Sequence, residues 1–310
     1  MPTYVPQIEG NTVRVGGNAR QQFYDPSGYG RPEETGNEIT LSFVEAAHLL
    51  WRGKFDSIDR MEFDAFVSYA SESNDLFIPL LVVYNDLRER GFYIQHLPLD
   101  DSIDVYPRGE KPYESEPAYT VKVVTERDTF DSGEMGDVLG VVDDEGDVTY
   151  FEVEAWDEQG ETPTLDIDTQ LVGEVVGSHV VVVDYPDDLH SRAFYGSESS
   201  GRLLLSPVEA HYLSERGVLD FEDELPRGDD FDRRARVYAD LRDRRTCPRS
   251  GFKFGTDFRV YDYETVENLD DVSHSEYLVE TVERGHVFDA SEVSRAVRLA
   301  HGVNKTMVFA

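Results

Sequence analysis

The chain has 310 residues, of which 63 are acidic and 29 basic, and its formal net charge is −34. A hydrophobic fraction of 39% and an aromatic fraction of 12% exclude a disordered polyanion, and the length accommodates two or more domains. The single cysteine, Cys247, excludes an intrachain disulfide bond and a cysteine-based metal site.

The acidic surplus has two interpretations. Acidic residues occur along the whole length, between well-patterned apolar segments, which favours a protein adapted to very high salt. In molar salt the Debye length falls to about 3 Å, so repulsion between an acidic surface and RNA is largely screened. An acidic chaperone or a nucleic-acid mimic is the alternative interpretation.

The sequence also bears on cellular location. The first ten residues do not combine a basic segment with an apolar run, so we expect no signal peptide. Apolar stretches stay shorter than the roughly 18 residues of a membrane span. We therefore expect a cytoplasmic protein without membrane insertion.

The two halves of the chain repeat one another. Three segments of the first half recur in the same order in the second half, namely 41–50 at 205–214, 83–90 at 237–244 and 119–131 at 277–289. Three ordered matches predict two tandem copies of one fold rather than a short-period solenoid. The acidic segment from Ala155 to Asp168, which contains Gly160 and Pro163, is the predicted linker.

The predicted elements are clearest in the second copy. Ser206 and Glu209 form a capping box, which predicts the start of a helix with Val208, Tyr212 and Leu213 on one face. The elements predicted after it are a helix over 231–244, strands over 252–261 and 274–282, a helix over 291–301 and a strand beginning at Met307. The arginines of the 231–244 helix are interpreted as a solvated face rather than an RNA site.

The last quarter of the chain contains three ordered runs with chemically useful side chains: Gly251 to Tyr261, His274 to Val279 and Arg298 to Lys305. In this order they resemble the archaeal tRNA-splicing endonuclease family. The most specific matches are Lys-Phe-Gly-x-Asp-Phe-x-x-Tyr and His-Ser-x-Tyr-Leu-Val. Helical segments of both copies also fit, so the resemblance covers nearly the whole chain.

The resemblance implies an α/β (α+β) fold in two tandem copies. Each copy has a helical N-terminal subdomain and a mixed α/β, nuclease-like subdomain with a small mixed sheet. The degenerate copy spans 1–160, with its helical part over about 1–90 and its α/β part over about 91–160. The catalytic copy spans 170–310, with its helical part over about 170–247 and its α/β part over about 248–310.

The end of the second copy departs from the family pattern. The first copy continues through residues 146–153, beyond the position that corresponds to Lys305, whereas the chain ends at Ala310. We therefore expect the second copy to lack a closing hairpin, either because the sequence is a fragment or because the end was lost.

The implied activity is cleavage of precursor tRNA at a bulge–helix–bulge by a homodimer that needs no metal or other cofactor. Tyr261, His274 and Lys305 match the catalytic triad. Imidazole titrates near neutral pH, which suits His274 as general acid. Lys305 suits stabilisation of a pentavalent phosphorane, and Tyr261 takes the general-base role by resemblance, with Lys305 as the cation that favours its ionisation. Arg298 matches a family arginine that stacks on a bulged base, and a solvated helix face is the alternative.

The first copy lacks this set of residues. Tyr106 matches Tyr261, but Glu116 stands at the position of His274, and no lysine occurs between Lys122 and Lys253. The first copy is therefore expected to be architectural. Its acidic segment Asp143 to Asp147 is interpreted either as a loop that docks into a partner subunit or as an ordinary acidic hairpin turn.

Two rival functions remain open at this stage. One is a non-catalytic RNA-binding or assembly subunit of a splicing endonuclease. The other is an acidic interaction protein that shares only the fold.

Overall fold

The computed structural model describes residues 4–163, 170–261 and 274–310. Part of the predicted linker, residues 164–168, lies outside the described residues. The chain forms two compact units, one comprising Met1–Glu154 with Val287–Val293 and the other Ala155–His286 with Ser294–Ala310. The repeat boundaries expected from the sequence, 1–160 and 170–310, remain predictions.

The first unit begins with a four-stranded sheet and its helices. The strands are β1 (Gln7–Glu9), β2 (Thr12–Val15), β3 (Arg31–Pro32) and β4 (Ile39–Ser42), paired in the order β1-β2-β4-β3. A π-helical turn, Arg20–Tyr24, precedes the helices α1 (Asp25–Ser27), α2 (Phe43–Trp51), α3 (Phe63–Ser71) and α4 (Phe77–Glu89).

A five-stranded mixed sheet completes the first unit. Its strands are β5 (Ile94–Gln95), β6 (Ser102–Val105), β7 (Tyr119–Thr125), β9 (Val138–Val142) and β10 (Val148–Glu152), in the order β10-β9-β7-β6-β5. β8 (Thr129–Asp131) pairs with β19 (Val287–Asp289), and the 3-10 turn Ser132–Glu134 follows β8. One apolar core joins both sheets to α2 and α4, with Leu49, Leu80 and Tyr84 fully buried.

The second unit has a similar element order. Its first sheet contains β11 (Leu171–Val176), β12 (His179–Val182), β13 (Ser197–Ser199), β14 (Arg202–Leu205) and β15 (Leu219–Asp220), in the order β13-β14-β12-β11-β15. Its helices are α5 (Asp187–Ser191), α6 (Pro207–Glu215) and α7 (Phe231–Asp243).

The last sheet of the second unit is mixed. It contains β16 (Cys247–Ser250), β17 (Phe258–Tyr261), β18 (Tyr277–Glu280) and β20 (Thr306–Phe309), in that order, with the 3-10 turn Phe252–Phe254 between β16 and β17. Helix α8 (Ala290–His301) precedes β20. Phe258, Val260 and Val279 point into the core that α6 and α7 share, so this sheet is anchored to the helical part of the same unit.

The structure confirms the capping box. The Ser206 side chain accepts a hydrogen bond from the backbone N–H of Glu209, and the Glu209 carboxylate accepts one from the backbone N–H of Ser206. In the first unit, Ser42 and Glu45 form the same motif at the start of α2. Each box satisfies backbone donors that an uncapped helix would leave unpaired.

Two local predictions are wrong in part. The strand predicted over 252–261 covers only Phe258–Tyr261, because the chain first forms a 3-10 turn that ends at Gly255 with a positive φ of 75°. The arginines of α7 are not all solvated. Arg242 is buried, where it donates hydrogen bonds to the Tyr238 hydroxyl and the Ala193 carbonyl.

Candidate active site

Three strand ends meet at one edge of the last sheet. β17 ends at Tyr261, and its penultimate residue Val260 pairs with Tyr277, the first residue of β18, in antiparallel register. Tyr277 pairs on its other side with Thr306, the first residue of β20, in parallel register. The end of β17 and the starts of β18 and β20 therefore lie side by side.

This arrangement gathers the predicted catalytic residues. Tyr261 closes β17, His274 lies three residues before β18, and Lys305 comes immediately before β20. Backbone hydrogen bonds extend the pairing outward, from the Glu276 N–H to the Val260 carbonyl at 3.0 Å and from the Thr306 N–H to the Glu276 carbonyl at 2.9 Å. Residues distant in the chain are thus held at one edge by continuous backbone pairing.

The end of α8 determines where Lys305 lies. Asn304 adopts a left-handed conformation with φ of 55°. The Lys305 N–H donates to the Ala300 carbonyl at 2.9 Å, and the Asn304 N–H donates to the His301 carbonyl at 3.1 Å. These two bonds form a Schellman motif, which ends the helix and turns the chain into β20. Asparagine tolerates the left-handed region better than most residues, which explains its use here.

The Lys305 side chain is itself held in place. Its ammonium donates a hydrogen bond to the backbone carbonyl of Ser275, the buried neighbour of His274. The ammonium also lies 5.4 Å from the centroid of the Phe254 ring. Burial and the positive charge of Arg259 lower the pKa of Lys305, and the carboxylate of Glu276 acts in the opposite direction.

The other two predicted groups differ in exposure. His274 is exposed, so its imidazole is accessible to a substrate, whereas Tyr261 is half-buried. The guanidinium carbon of Arg259 lies 5.5 Å from the centroid of the Tyr261 ring. The edge thus offers an accessible imidazole, an oriented amine and a phenol with a cation beside it. Such a set suits acid–base chemistry on an anionic substrate.

Arg298 lies on an exposed position of α8, one turn before the Schellman motif. Its carbonyl accepts a hydrogen bond from Gly302 at 2.9 Å, and its side chain faces solvent. Both interpretations of Arg298, base stacking and a solvated face, remain predictions.

The first repeat shows which residues replace the triad. Val105 pairs with Tyr119 as Val260 pairs with Tyr277, so Tyr106 corresponds to Tyr261. Tyr106 is buried, and its hydroxyl donates to the Gln95 side chain at 2.7 Å. The same register puts Glu116 at the position of His274, in agreement with the count along the sequence.

The Lys305 position is also replaced in the first repeat. Val121 pairs with Val138 in the parallel register that joins β18 to β20 in the second repeat, so Met135 corresponds to Lys305. The 3-10 turn Ser132–Glu134 stands where the second repeat has α8. A thioether carries no charge, so the two equivalent positions of the first repeat supply neither an imidazole nor an ammonium.

The acidic segment Asp143 to Asp147 forms the turn between β9 and β10. The Asp143 N–H donates to the Asp147 carbonyl at 3.1 Å, and the Asp143 carboxylate accepts from the N–H groups of Glu145 and Asp147 at 2.9 Å each. The structure therefore confirms a hairpin turn, while docking into a partner subunit remains a prediction.

Comparison with known proteins identifies the family. Residues 231–310 match the family model described as tRNA intron endonuclease, catalytic C-terminal domain. Residues 6–67 and 171–231 each match the N-terminal domain of the same family. The tRNA-splicing endonuclease of Halobacterium salinarum is 43% identical to this chain, and the alignment covers 98% of the chain and 93% of the relative. The chain belongs to the tRNA intron endonuclease family.

Other members of the tRNA intron endonuclease family are also similar over almost their whole length. The tRNA-splicing endonuclease of Haloarcula marismortui is 42% identical, with coverage of 98% of this chain and 93% of the relative. That of Methanosarcina acetivorans is 35% identical, with coverage of 98% and 94%. This family member is therefore an RNA endonuclease of mixed α/β fold. Its similarity to proteins of halophilic archaea agrees with the interpretation of the acidic composition as an adaptation to salt.

Over residues 4–163, 170–261 and 274–310, no helix is both long and apolar enough to cross a membrane. Within the same ranges, no group of three or more His, Cys, Asp or Glu side chains is arranged to hold a metal ion.

Sequence patterns assigned no role to Arg259, which the structure puts beside Tyr261. The two-residue period of a strand was the available signal, because it puts residues 259 and 261 on the same face of β17.

Proposed function

We propose that this endonuclease excises introns from precursor tRNA, with its single active site at Tyr261, His274 and Lys305. The relatives' names supply the substrate class, since each is a tRNA-splicing endonuclease. The meeting of the three residues at one edge of the last sheet is the observation that carries the assignment. A bulge–helix–bulge is the preferred target, because its splayed bases and fixed spacing present a shape that a protein can recognise.

The proposed reaction is an internal transesterification. Tyr261 removes the proton from a ribose 2′-OH, and the 2′-oxygen attacks the adjacent phosphorus. The bond from phosphorus to the 5′-oxygen breaks, and His274 donates a proton to that oxygen. One product ends in a 2′,3′-cyclic phosphate and the other in a 5′-OH. Each proton has a named donor and acceptor, so the step needs no metal or other cofactor.

Lys305 supports this reaction electrostatically. Attack on the phosphodiester adds a negative charge to the pentavalent phosphorus, and a positioned cation stabilises that charge. The hydrogen bond to the Ser275 carbonyl holds the ammonium against the backbone of the residue that follows His274. Because little reorganisation is then needed, the cation favours the transition state over the ground state.

A homodimer is the proposed assembly. A tRNA intron has two ends, and each chain supplies one triad, because its first repeat has Glu116 and Met135 in place of the acid and the cation. Two chains related by a two-fold axis would present two identical sites. The exposed hairpin Asp143 to Asp147 is the proposed docking element, and a cytoplasmic location follows from the substrate.

The test is cleavage of a precursor tRNA that carries a bulge–helix–bulge, in high-salt buffer with EDTA, followed by end-group analysis. We expect cyclic phosphate and 5′-OH ends at both bulges with the wild type, and none with His274→Ala. His301→Ala is the matched control, because His301 is an exposed histidine of α8 to which we assign no role. Wild-type protein that is folded and binds the RNA without cutting it would instead indicate a non-catalytic subunit. Cleavage that stops with EDTA would contradict the proposed chemistry.

The assembly is tested separately by light scattering of the protein in the same buffer. The expected mass is about twice the 35.2 kDa of one chain. Substituting the acidic hairpin with neutral residues should shift the mass towards that of one chain. An unchanged mass would show that the hairpin is an ordinary turn.

A further inference from the structure

Arg259 lies in the middle of β17, between two core residues. Phe258 and Val260 are buried in the core on one face of the sheet, so Arg259 and Tyr261 share the opposite face. The guanidinium carbon lies 5.5 Å from the Tyr261 ring centroid. The side chain therefore belongs to the edge where the triad meets.

One buried nitrogen of the Arg259 side chain makes no hydrogen bond within the described part of the chain. That nitrogen is Nε of the guanidinium. An unpaired buried donor costs about 1–3 kcal/mol, so each case in a native structure calls for a reason. The positive charge of Arg259 also acts on Lys305, because it lowers the pKa of that ammonium.

The cross-strand neighbour of Arg259 is a second arginine, which has partners of its own. Arg249 on β16 lies directly opposite Arg259, and like charges in this relation destabilise a sheet. Arg249 is compensated, because its guanidinium donates to the Phe194 carbonyl at 2.6 Å and lies 4.0 Å from the Glu209 carboxylate. Of the two facing arginines, Arg259 is thus the one with a buried nitrogen that no described residue binds.

The first repeat supplies an internal control for this position. The pairing of Gln95 with Asp104 corresponds to that of Arg249 with Arg259, so Asp104 occupies the position of Arg259. The Asp104 carboxylate accepts a hydrogen bond from the Thr120 hydroxyl at 2.9 Å. The repeat that lacks the imidazole and the ammonium therefore also lacks this guanidinium, although its tyrosine is present.

We propose that Arg259 is a fourth catalytic residue, which binds a non-bridging oxygen of the scissile phosphodiester beside Lys305. This inference rests on the proposed cleavage reaction. Arginine stays protonated throughout and exchanges no proton with the substrate, so the proton transfers of the reaction are unchanged. The added negative charge of the phosphorane relieves the repulsion between the two cations, and this gain is largest in the transition state.

The experiment compares Arg259→Gln and Arg259→Lys with the wild type, using precursor tRNA with a bulge–helix–bulge in high-salt buffer. Single-turnover rates at saturating enzyme, RNA dissociation constants and melting temperatures are measured for each. Arg236→Gln is the matched control, because it removes the same charge from an exposed position of α7. His274→Ala is included as the reference for the proposed reaction itself.

For Arg259→Gln we expect a rate about 10²–10³-fold below that of the wild type, as for the loss of one group that stabilises transition-state charge. The dissociation constant should change by less than about fivefold, and the melting temperature should not fall, because the lost Nε was unpaired. Arg259→Lys should recover part of the rate, because lysine restores the positive charge but not the planar set of donors of a guanidinium.

Three outcomes would overturn the role of Arg259. One is an Arg259→Gln rate within about threefold of the Arg236→Gln rate, well short of the roughly 10²-fold loss expected. Another is an effect on RNA binding alone, with a raised dissociation constant and an unchanged rate at saturating enzyme. The third is an Arg259→Gln variant that loses both rate and melting temperature, while Arg259→Lys restores both. That result would indicate a structural role only. Failure of the proposed function looks different, since then the wild type would not cleave or His274→Ala would cleave equally well.

Discussion

The side-chain ammonium of Lys305 donates a hydrogen bond to the backbone carbonyl of Ser275, the residue that follows His274. This contact links the lysine of the predicted triad to the backbone of the residue next to its histidine. Replacing Lys305 with methionine keeps an unbranched side chain, shorter by the terminal atom, but removes the charge and the donor. We expect cleavage to slow about 10²–10³-fold and stability to fall by about 1 kcal/mol, because the Ser275 carbonyl loses its partner.

Single-turnover cleavage and chemical denaturation measure these two effects of Lys305→Met. Lys253→Met is the matched control, because Lys253 is exposed in the 3-10 turn before β17. Equal rates for the two methionine variants would contradict the assignment of Lys305.

The conformation of Asn304 predicts a second effect. Asn304→Val forces a β-branched residue into the left-handed region, which costs about 1–2 kcal/mol and weakens the Schellman motif. Since the motif positions Lys305, we expect cleavage to fall together with stability. Asn304→Gly is the control, because glycine adopts this conformation freely and should retain activity. A valine variant as active as the glycine variant would show that the motif does not orient the lysine.

The two equivalent tyrosines provide a matched pair of substitutions. Tyr106→Phe removes a buried hydroxyl that donates to Gln95, so we expect a loss of about 1–2 kcal/mol in stability and no change in cleavage rate. Tyr261→Phe removes the proposed general base, so we expect the rate to fall by about 10²-fold or more. Cleavage rates and denaturation curves of both variants are the measurements. Equal rates for the two would remove Tyr261 from the mechanism.

Buried His48 predicts a pH dependence of stability. Burial lowers the pKa of His48 to about 4, and its ring bonds Asn85 at 2.5 Å and Tyr29 at 3.1 Å. The His48 imidazole therefore binds a proton less readily in the folded state than in the unfolded state, where its pKa is near 6.5. Above about pH 6.5, His48 makes its full contribution to the free energy of unfolding. As the pH falls towards 4, that free energy decreases by about 2–3 kcal/mol.

His48→Gln tests this effect, because glutamine cannot titrate. Between about pH 6.5 and 4, the variant should show a shallower loss of unfolding free energy than the wild type. His301→Gln, at an exposed position, should retain the wild-type slope. Parallel slopes for the wild type and His48→Gln would contradict the prediction.

The net charge of −34 predicts that folding depends on salt. Self-repulsion of this surface destabilises the compact state at low ionic strength, and added salt screens it. We expect the melting temperature to rise as NaCl increases from about 0.2 M to about 3 M. Thermal melting monitored by circular dichroism measures this, and a flat or falling melting temperature would argue against the salt interpretation.

Much of the candidate site could be predicted from the sequence. Residue types and short spacings were enough to predict the duplication and the capping box at Ser206. They were also enough to give the order of Tyr261, His274 and Lys305. The same information predicted that the first repeat lacks a histidine at the position of His274 and a lysine at that of Lys305. A tandem repeat aligns one copy with the other without any coordinates.

Other features required the tertiary structure. Whether an arginine is buried or hydrogen-bonded depends on side chains far away in the sequence. Neither the burial of Arg242 nor the Nε of Arg259, which no described residue binds, could therefore be inferred. The contact of Lys305 with Ser275 likewise requires the parallel pairing of β18 and β20. The sequence by itself determined which chemical groups this protein has and in what order. The tertiary structure decided which of them meet and which charges have no partner, because burial and long-range pairing are properties of the folded chain.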